Sequence, residues 1–191
     1  SMEKNNLRKK ALKAIDDTAF YPSKGKERIR SMIETRPDWC ISRQRVWGVP
    51  LPIFVSKKTN EPLRDPEIIE NIAKIYEKEG ADCWFDNNPQ KFLGKKYEKE
   101  DYIQSTDICE VWFDSGSTHS FVLEKRKDLA WPASMYLEGS DQHRGWFHSS
   151  LLESCGTRGR APFNSILSHG FVVDGKGLKM SKSTGNIIAP E

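Results

Sequence analysis

The feature that most constrains the fold is an alternation of elements in the last third of the chain. Its parts are, in chain order, a short apolar strand (134–138), a helix (about 144–155) that Gly156 should end, a second strand (165–173) and a loop rich in glycine and lysine (174–186). Strand, helix and strand in this order form one βαβ unit. Ligands bind where the strands end in open α/β sheets, so the sequence predicts a site at the carboxyl edge of this sheet.

The composition defines the broad class. With 191 residues, 37% hydrophobic and 30% charged, the chain has the composition of a soluble globular domain. Its longest apolar runs are only a few residues, so we predict no membrane span and no signal peptide, and we expect a cytoplasmic protein. The net charge of +3 is too small to predict nucleic-acid binding by itself. Ser1-Met2 has the form of a tag-cleavage remnant and is left out of the predicted fold.

Residues 1–35 are predicted to form an N-terminal helical segment. Apolar residues at helical spacing indicate one helix over 3–18, and a second helix is expected from Ser23, as its N-cap, to about Thr35. The stretch that ends at Arg45 is also rich in lysine and arginine. Such a run is typical of a solvated helix face, and it also suits a surface that contacts a phosphate backbone.

Residues 54–107 are interpreted as an insertion in a domain formed by residues 36–191. Within the insertion, Asp65 is the predicted N-cap of a helix that Gly80 ends. The apolar stripe predicted for this helix consists of Ile68, Ile69, Ile72, Ala73, Ile75 and Tyr76. Residues 81–107 are polar and show no catalytic pattern.

Four cysteines stand apart from one another, at Cys40, Cys83, Cys109 and Cys155. They have neither the C-x-x-C spacing nor any other close spacing that zinc sites and redox motifs use. The sequence therefore predicts no zinc or other metal site, and it predicts four buried, reduced thiols.

The loop that follows the second strand combines groups that suit a polyphosphate. Its three glycines permit backbone conformations closed to other residues. Lys179 and Lys182 place two ammonium groups within four residues, and Ser181, Ser183 and Thr184 add hydroxyl donors. The composition fits a loop that grips phosphates and equally fits a mobile, solvated surface loop. It is not a Walker A loop, because the G-x-x-x-x-G-K-[ST] pattern is absent from the sequence.

A second group of polar residues follows the first strand. Glu138 and Asp141 stand where that strand ends and the helix approaches. A carboxylate in this place can bond a ribose hydroxyl or a substrate ammonium. The alternative for Asp141 is a simple helix N-cap.

Several segments resemble the class I aminoacyl-tRNA synthetases. Residues 179–183 read Lys-Met-Ser-Lys-Ser, which matches the KMSKS signature of that family. Residues 134–148 resemble its adenylate-binding segment, and 36–50 is most similar to the isoleucyl branch. The resemblance is strong over 36–53, 111–120, 134–148 and 165–190, and loose over 3–35 and 54–107. It implies part of a Rossmann-like α/β catalytic domain with an α+β insertion and an N-terminal helical segment.

The resemblance also implies roles for individual residues. Lys182 would be central to binding the ATP phosphates, with Lys179 assisting. The residues implied at the aminoacyl-adenylate are Glu138 and Gly139 near the adenylate, Asp141 and Gln142 near its ribose or amino-acid end, and His169 and Gly170 beside the adenine. Trp112, in the run Val111–Ser117, is a candidate for the amino-acid pocket. For His169 a structural histidine, and for Trp112 a core tryptophan, are the alternatives.

The function implied is activation of isoleucine by ATP, with Mg²⁺, and transfer of the aminoacyl group to tRNA(Ile). The chain would be the C-terminal half of the catalytic domain, since the family's His-x-Gly-His tetrad, editing domain and anticodon-binding region do not occur in it. We expect the fragment alone to be inactive or to bind ligand weakly. The alternatives are a valyl or leucyl enzyme and a non-catalytic tRNA- or subunit-binding module, whose basic residues could meet the 3′ end of tRNA.

Overall fold

The computed structural model describes residues 1–188, and the chain folds as two compact units. The first, here called the sheet unit, combines residues 1–39 with the chain from Ser115 onward. The second, the aromatic unit, is Cys40–Asp114. The predicted insertion, 54–107, falls inside the aromatic unit, and its status as an insertion stays a prediction.

The secondary structure consists of six α-helices and seven strands within residues 1–188, joined by short irregular helices. The α-helices are α1 (Leu7–Asp16), α2 (Lys24–Glu34), α3 (Pro66–Glu79), α4 (Pro89–Leu93), α5 (Val111–Gly116) and α6 (Trp146–Thr157). The strands are β1 (Ala19–Tyr21), β2 (Ser42–Arg43), β3 (Phe54–Ser56), β4 (Tyr102–Gln104), β5 (Ile108–Cys109), β6 (Tyr136–Gly139) and β7 (Ser165–His169). Turns of 3₁₀-helix occur at Lys4–Asn6, Ala81–Phe85, Lys99–Asp101 and Ser140–Arg144, and one π-helical turn at His119–Leu123.

A three-stranded parallel sheet organises the sheet unit. Its order is β1-β7-β6, and both pairs of neighbours are parallel. The predicted α/β class and its strand–helix–strand unit, β6-α6-β7, are therefore confirmed. Two expectations were wrong: the segment 1–35, predicted to be helical, also contains strand β1, and β7 ends at His169 instead of continuing to Val173. Both differences arise from pairing with distant strands, which local periodicity does not reveal.

Helices α1, α2 and α6 bury the core of the sheet unit. Ala11 and Ile15 of α1 and Ile29 and Ile33 of α2 are buried one helical turn apart, as their spacing predicts. Helix α6 is buried over most of its surface, since an unbroken run of residues from Phe147 to Leu152 is inaccessible. The buried residues of α6 include polar ones, His148, Ser149, Ser150 and Ser154, so this central helix places polar groups inside the core.

Met2 belongs to this core, so leaving it out of the fold was wrong. Its side chain is buried against the aliphatic cluster. Its backbone N–H donates a hydrogen bond to Asp38 Oδ1 at 2.7 Å, which joins the start of the chain to the segment after α2.

The ends of two helices differ from the predicted ones. Ser23 precedes α2 but makes no side-chain capping bond, and Gly156 lies inside α6, which ends at Thr157. The residue with a left-handed backbone is Gly159, with φ of +76°. Arg8 provides donors for carbonyls at the end of α2, since its guanidinium donates to Ile33 O at 2.6 Å and to Glu34 O at 3.1 Å. It also donates to Arg36 O at 2.8 Å, just beyond the helix.

Helix α3 of the aromatic unit begins and ends as its sequence predicts. Asp65 Oδ1 accepts the backbone N–H of Glu67 at 2.9 Å, and Gly80 ends the helix with φ of +83°. The predicted stripe was only partly right. Ile68 and Ile72 are buried, and Ile75 and Tyr76 pack against the same core. Ile69 and Ala73 are exposed, because they lie on the edge of the stripe that faces away from it.

The core of the aromatic unit surrounds Trp84, which is fully buried although it lies in a stretch, 81–107, that was interpreted as polar. Its ring centroid lies 5.1 Å from Phe54 and 4.8 Å from Phe92. Two short antiparallel pairs, β2-β5 and β3-β4, frame the unit.

The cysteines are all free thiols, but they are not all buried. Cys83, Cys109 and Cys155 are buried, while Cys40 is exposed, which corrects the prediction of four buried thiols. Burial raises the pKa of the Cys155 thiol to about 12. None of the helices within residues 1–188 is long and apolar enough to cross a membrane.

Candidate functional site

The carboxyl ends of β6 and β7 bring four of the predicted residues to one edge of the sheet. Glu138 lies opposite Ser168, and Gly139 lies opposite His169. A Cβ atom on Gly139 would stand 2.5 Å from Asp141 Oδ1 and 3.9 Å from His169 Cε1. Glycine at this position therefore leaves room for the Asp141 carboxylate, whereas the His169 ring lies at an ordinary contact distance.

Asp141 and Gln142 lie in the 3₁₀ turn that joins β6 to α6. Asp141 makes no capping bond, so its alternative role as the helix N-cap was wrong. The Gln142 side chain caps the helix instead, because its Oε1 accepts the backbone N–H of Trp146 at 2.9 Å. Its Nε2 donates to Asp141 Oδ2 at 3.0 Å, so one amide both starts α6 and orients the exposed carboxylate.

Aromatic packing holds strand β6 in place at its first residue, Tyr136. The rings of Tyr136 and Trp146 stack at 4.1 Å with an interplanar angle of 2°, and Trp146 Nε1 donates to Ser115 O at 3.0 Å. The Tyr136 hydroxyl lies 3.2 Å from Ser150 Oγ, and burial raises the pKa of Tyr136. These contacts hold the strand that presents Glu138 and Gly139.

His169 and Gly170 lie where β7 leaves the sheet. Both residues are exposed. His169 Nδ1 is 2.6 Å from Gly170 O, so one ring nitrogen has a local backbone partner and the remainder of the ring faces solvent. This contact also fits the alternative of a structural histidine. The placement of His169 beside adenine stays a prediction.

The loop after β7 forms a small hairpin and a turn. The backbone N–H of Asp174 donates to Leu178 O at 2.8 Å, and that of Met180 donates to Val172 O at 3.0 Å. Lys179 Nζ lies 3.7 Å from the centroid of the Phe171 ring, a cation–π contact. The Lys182 side chain is exposed, and its ammonium group makes no hydrogen bond or ion pair within the part of the chain that the structure describes.

The two polar residues that close this loop, Asp174 and Asn186, had no role predicted from the sequence. Asn186 Nδ2 donates to Asp174 Oδ2 at 2.8 Å, and this bond, followed by one from the Leu178 N–H, lowers the pKa of the Asp174 carboxyl. The available signal was the residue type, since Asp and Asn commonly bond the backbone of turns next to glycine.

Trp112 belongs to the aromatic unit, on the first turn of α5. It is 43% exposed, which contradicts the alternative of a core tryptophan. Its backbone N–H donates to Glu110 Oε2 at 3.1 Å. A cavity of about 370 Å³ in this unit has Arg43, Trp47, Ile108, Glu110 and Asp114 among its lining residues. Burial raises the pKa of the Asp114 carboxyl there. The pocket role of Trp112 stays a prediction.

The basic first third of the chain is partly structural. Arg30 and Lys26 both pair with Asp16, and the Arg36 guanidinium lies 5.4 Å above the Trp39 ring. By contrast, the Trp47 side chain is 90% exposed. Trp39 therefore has a packing role that Trp47 does not share.

The chain belongs to the family of tRNA synthetases class I (I, L, M and V), which it matches over residues 1–191. The resemblance inferred from its motifs is thus confirmed at the level of the family.

Its relatives specify the branch. The isoleucine–tRNA ligase of Pelagibacter ubique is 78% identical over 191 residues, which are 100% of this chain and 21% of the relative. That of Zymomonas mobilis is 59% identical over 184 residues (96% of this chain, 20% of the relative), and that of Brucella abortus is 58% identical over 196 residues (100% and 20%). The chain spans about a fifth of the length of these curated relatives. The valyl and leucyl alternatives are accordingly weaker.

A solved structure shares the fold. It is the ternary complex LeuRS-tRNA-LeuAMS of Agrobacterium radiobacter K84, which superposes with a TM-score of 0.53 at 22% identity, covering 81% of this chain and 22% of that one. At this identity the likeness extends to the fold alone.

Proposed function

We propose that the chain is the part of an isoleucine–tRNA ligase that binds the aminoacyl-adenylate and carries the KMSKS loop. The observation that carries the proposal is the sharing of one sheet edge. Glu138 and Gly139 end β6, His169 ends the adjacent parallel strand β7, and the loop with Lys179 and Lys182 continues directly from β7. A nucleotide bound along that edge would have its sugar near carboxylates and its phosphates near ammonium groups.

The proposed reaction has two steps in the whole enzyme. A carboxylate oxygen of isoleucine attacks the α-phosphorus of ATP, which forms the acyl–phosphate bond of isoleucyl-adenylate and releases pyrophosphate from the broken α–β anhydride. A ribose hydroxyl at the end of tRNA(Ile) then takes the aminoacyl group, and AMP leaves.

The residues of this chain would act mainly by charge and position. Negative charge builds on the pyrophosphate as it leaves, and ammonium groups held beside it stabilise that charge in the transition state. Lys182 would provide the main contact and Lys179 would assist after leaving the Phe171 ring. Glu138 and Asp141 would accept hydrogen bonds from a ribose hydroxyl or the substrate ammonium. Mg²⁺ would accompany ATP, held mainly by phosphates and water.

Calorimetry of this chain with a non-hydrolysable isoleucyl-adenylate analogue and with ATP tests the proposal. We expect weak binding by the wild type. Lys182→Ala should weaken ATP binding, and Glu138→Ala should weaken binding of the analogue, each by about tenfold or more, as expected for loss of a charged hydrogen-bonding group.

Matched controls are Lys176→Ala, which removes a lysine from the same loop, and Glu77→Ala, which removes an exposed carboxylate from α3. Both should bind like the wild type. The proposal is contradicted if the wild type gives no heat, or if the Lys182→Ala and Glu138→Ala variants bind as tightly as the wild type.

A second candidate function is tRNA contact through the aromatic unit. Trp47 is 90% exposed and lies two residues after Arg45 in the chain. An exposed ring near a guanidinium suits base stacking beside a phosphate. A gel-shift titration with tRNA at two salt concentrations tests it. Binding should weaken at higher salt and with Trp47→Ala; a salt-insensitive or absent shift argues against this function.

A further inference from the structure

The Asp174 carboxylate connects the tip of the loop that carries Lys179 and Lys182 to Asn186, the residue that closes the loop. Asp174 Oδ1 accepts hydrogen bonds from the backbone N–H groups of Lys176 and Leu178, each at 2.9 Å. Asp174 Oδ2 accepts a third from Asn186 Nδ2 at 2.8 Å. The two oxygens therefore serve different parts of the loop, and neither can be replaced by a hydrophobic group without losing a connection.

Asn186 extends this connection to the turn that contains Lys182. Its Oδ1 accepts the backbone N–H of Ser181 at 3.0 Å, and its Nδ2 also lies 3.3 Å from Lys179 O. The N–H of Gly185 closes the turn by donating to Ser181 O at 3.1 Å. The backbone on both sides of Lys182 is thus fixed, while its ammonium group remains exposed.

In the bond between the two side chains, the Asn186 amide donates and the Asp174 carboxylate accepts. A carboxylate only accepts hydrogen bonds, whereas an amide donates through nitrogen and accepts through oxygen. Asn186 uses both capacities, toward Asp174 and toward the Ser181 N–H. An exchange of the two residue types reverses the donor and acceptor between positions 174 and 186 but keeps an oxygen available for each backbone N–H. It gives up only the longer bond from position 186 to Lys179 O, at 3.3 Å. A single exchange leaves two like groups facing each other: two amides in Asp174→Asn and two carboxylates in Asn186→Asp.

We infer that Asp174 and Asn186 are positioning residues that shape the loop so that Lys182 is presented to the phosphates of a nucleotide. The nature of that ligand rests on the proposed function, whereas the hold of the pair on the loop does not. Neither side chain needs to touch the ligand, because both act on it through the backbone of the turn.

The test compares Asp174→Asn, Asn186→Asp and the double exchange in the full 191-residue chain. The first readout is solvent exchange of the Ser181 amide by NMR, without ligand. Each single variant should raise its rate about fivefold, as loss of one net hydrogen bond predicts, and the double exchange should restore most of the protection. The Met180 amide, which bonds Val172 O, is an internal control and should not change.

The second readout is affinity for inorganic pyrophosphate, followed by titration. We expect each single variant to bind about fivefold more weakly and the double exchange to recover affinity. Asp128→Asn is the matched control, because it neutralises an exposed carboxylate that pairs with Arg126, outside the loop. A role limited to overall stability would give no recovery in the double exchange.

The outcomes separate the inference from the proposed function. Unchanged Ser181 exchange in the single variants, or no recovery in the double exchange, overturns the inference. The inference is also overturned if the wild type binds pyrophosphate but the affinities of the variants do not follow their Ser181 exchange rates. If the wild type does not respond to pyrophosphate although exchange follows the expected order, the proposed phosphate role is overturned and the hold of the pair on the loop stands.

Discussion

The sheet unit and the aromatic unit bury different kinds of side chain. In the sheet unit the core is mainly aliphatic, and it also encloses polar residues, which are Thr18, His119, His143, His148, Ser149, Ser150 and Ser154. Several of their atoms, including both ring nitrogens of His148, make no hydrogen bond within residues 1–188. The aromatic unit encloses large rings, and its buried polar residue, Asp65, is fully engaged by Tyr97, Lys96 and the Glu67 N–H.

This difference indicates what limits the stability of each unit. Enclosing a polar group without a partner costs free energy, so the sheet unit gives up part of the stability that its aliphatic core provides. The same unit carries the predicted adenylate residues at its strand ends. The aromatic unit has fewer such costs within residues 1–188, where the Tyr76 hydroxyl is its buried group without a partner, but its core depends on one side chain, Trp84.

The largest effect is expected from Trp84→Ala. The ring contacts Phe54 and Phe92, and its Nε1 donates to Ser105 O at 2.7 Å. Truncation should lower the free energy of unfolding by about 3–5 kcal/mol, as for other fully buried aromatic side chains. Amide exchange in α3 under native conditions measures this loss. Trp47→Ala, at a 90% exposed position, is the control and should change it by less than about 0.5 kcal/mol.

The second effect is a pH dependence that His148 gives to the sheet unit. Burial, with smaller contributions from Arg36 and Arg144, lowers the pKa of His148 to about 4. The unfolded chain takes up this proton near pH 6.5, so stability should be lost as the pH falls from about 6.5 to about 4. The loss should approach roughly 3 kcal/mol at pH 4 and be absent above pH 7.

His148→Met should flatten this dependence. The measurement is urea unfolding between pH 4 and pH 7, with Leu152→Met as a control for repacking of the same helix. If the difference in unfolding free energy between the His148→Met variant and the wild type is constant over that range, the burial of a neutral histidine does not limit this unit.

The third prediction concerns two neighbouring residues of α3. Ile68 is 6% exposed and Ile69 is 61% exposed. Ile68→Val should therefore cost about 1 kcal/mol, and Ile69→Val should be close to neutral. Denaturant unfolding of the two variants provides the measurement. Equal losses would mean that the core of the aromatic unit includes the whole predicted stripe.

Helix α3 also shows how far the sequence could predict the fold. Asp65, Pro66 and Gly80 are local signals, so both helix ends were predicted, and the parallel arrangement of β6 and β7 followed from their spacing. Strand β1 has three residues and exists through its pairing with β7. Trp84 lies in a 3₁₀ turn, and its burial depends on partners distant in sequence. Neither feature has a periodic pattern that a single sequence could reveal.

The candidate site was predictable to a similar extent. The strand-end residues and the loop lysines were selected by motif, and the structure places Gly139, Asp141 and His169 together. The role of Gln142 at the start of α6 was not predictable, because a glutamine four residues before an N–H group has no distinctive spacing. Roles such as this one depend on which way a side chain turns, and that is decided by the packing of the unit.

The smallest expected effect concerns two glycines at the end of α6 and has opposite signs at the two positions. Gly156 lies in the helix, and a Cβ atom there would meet Leu7 Cδ1 at 3.7 Å, an ordinary contact. Gly156→Ala should therefore stabilise the sheet unit by about 0.5–1 kcal/mol, since alanine favours the helix. Gly159 has φ of +76°, so Gly159→Ala should destabilise it by about 1 kcal/mol. Thermal unfolding of the two variants measures the difference, and a loss of stability with Gly156→Ala would show that α6 ends at Gly156, as its sequence first suggested.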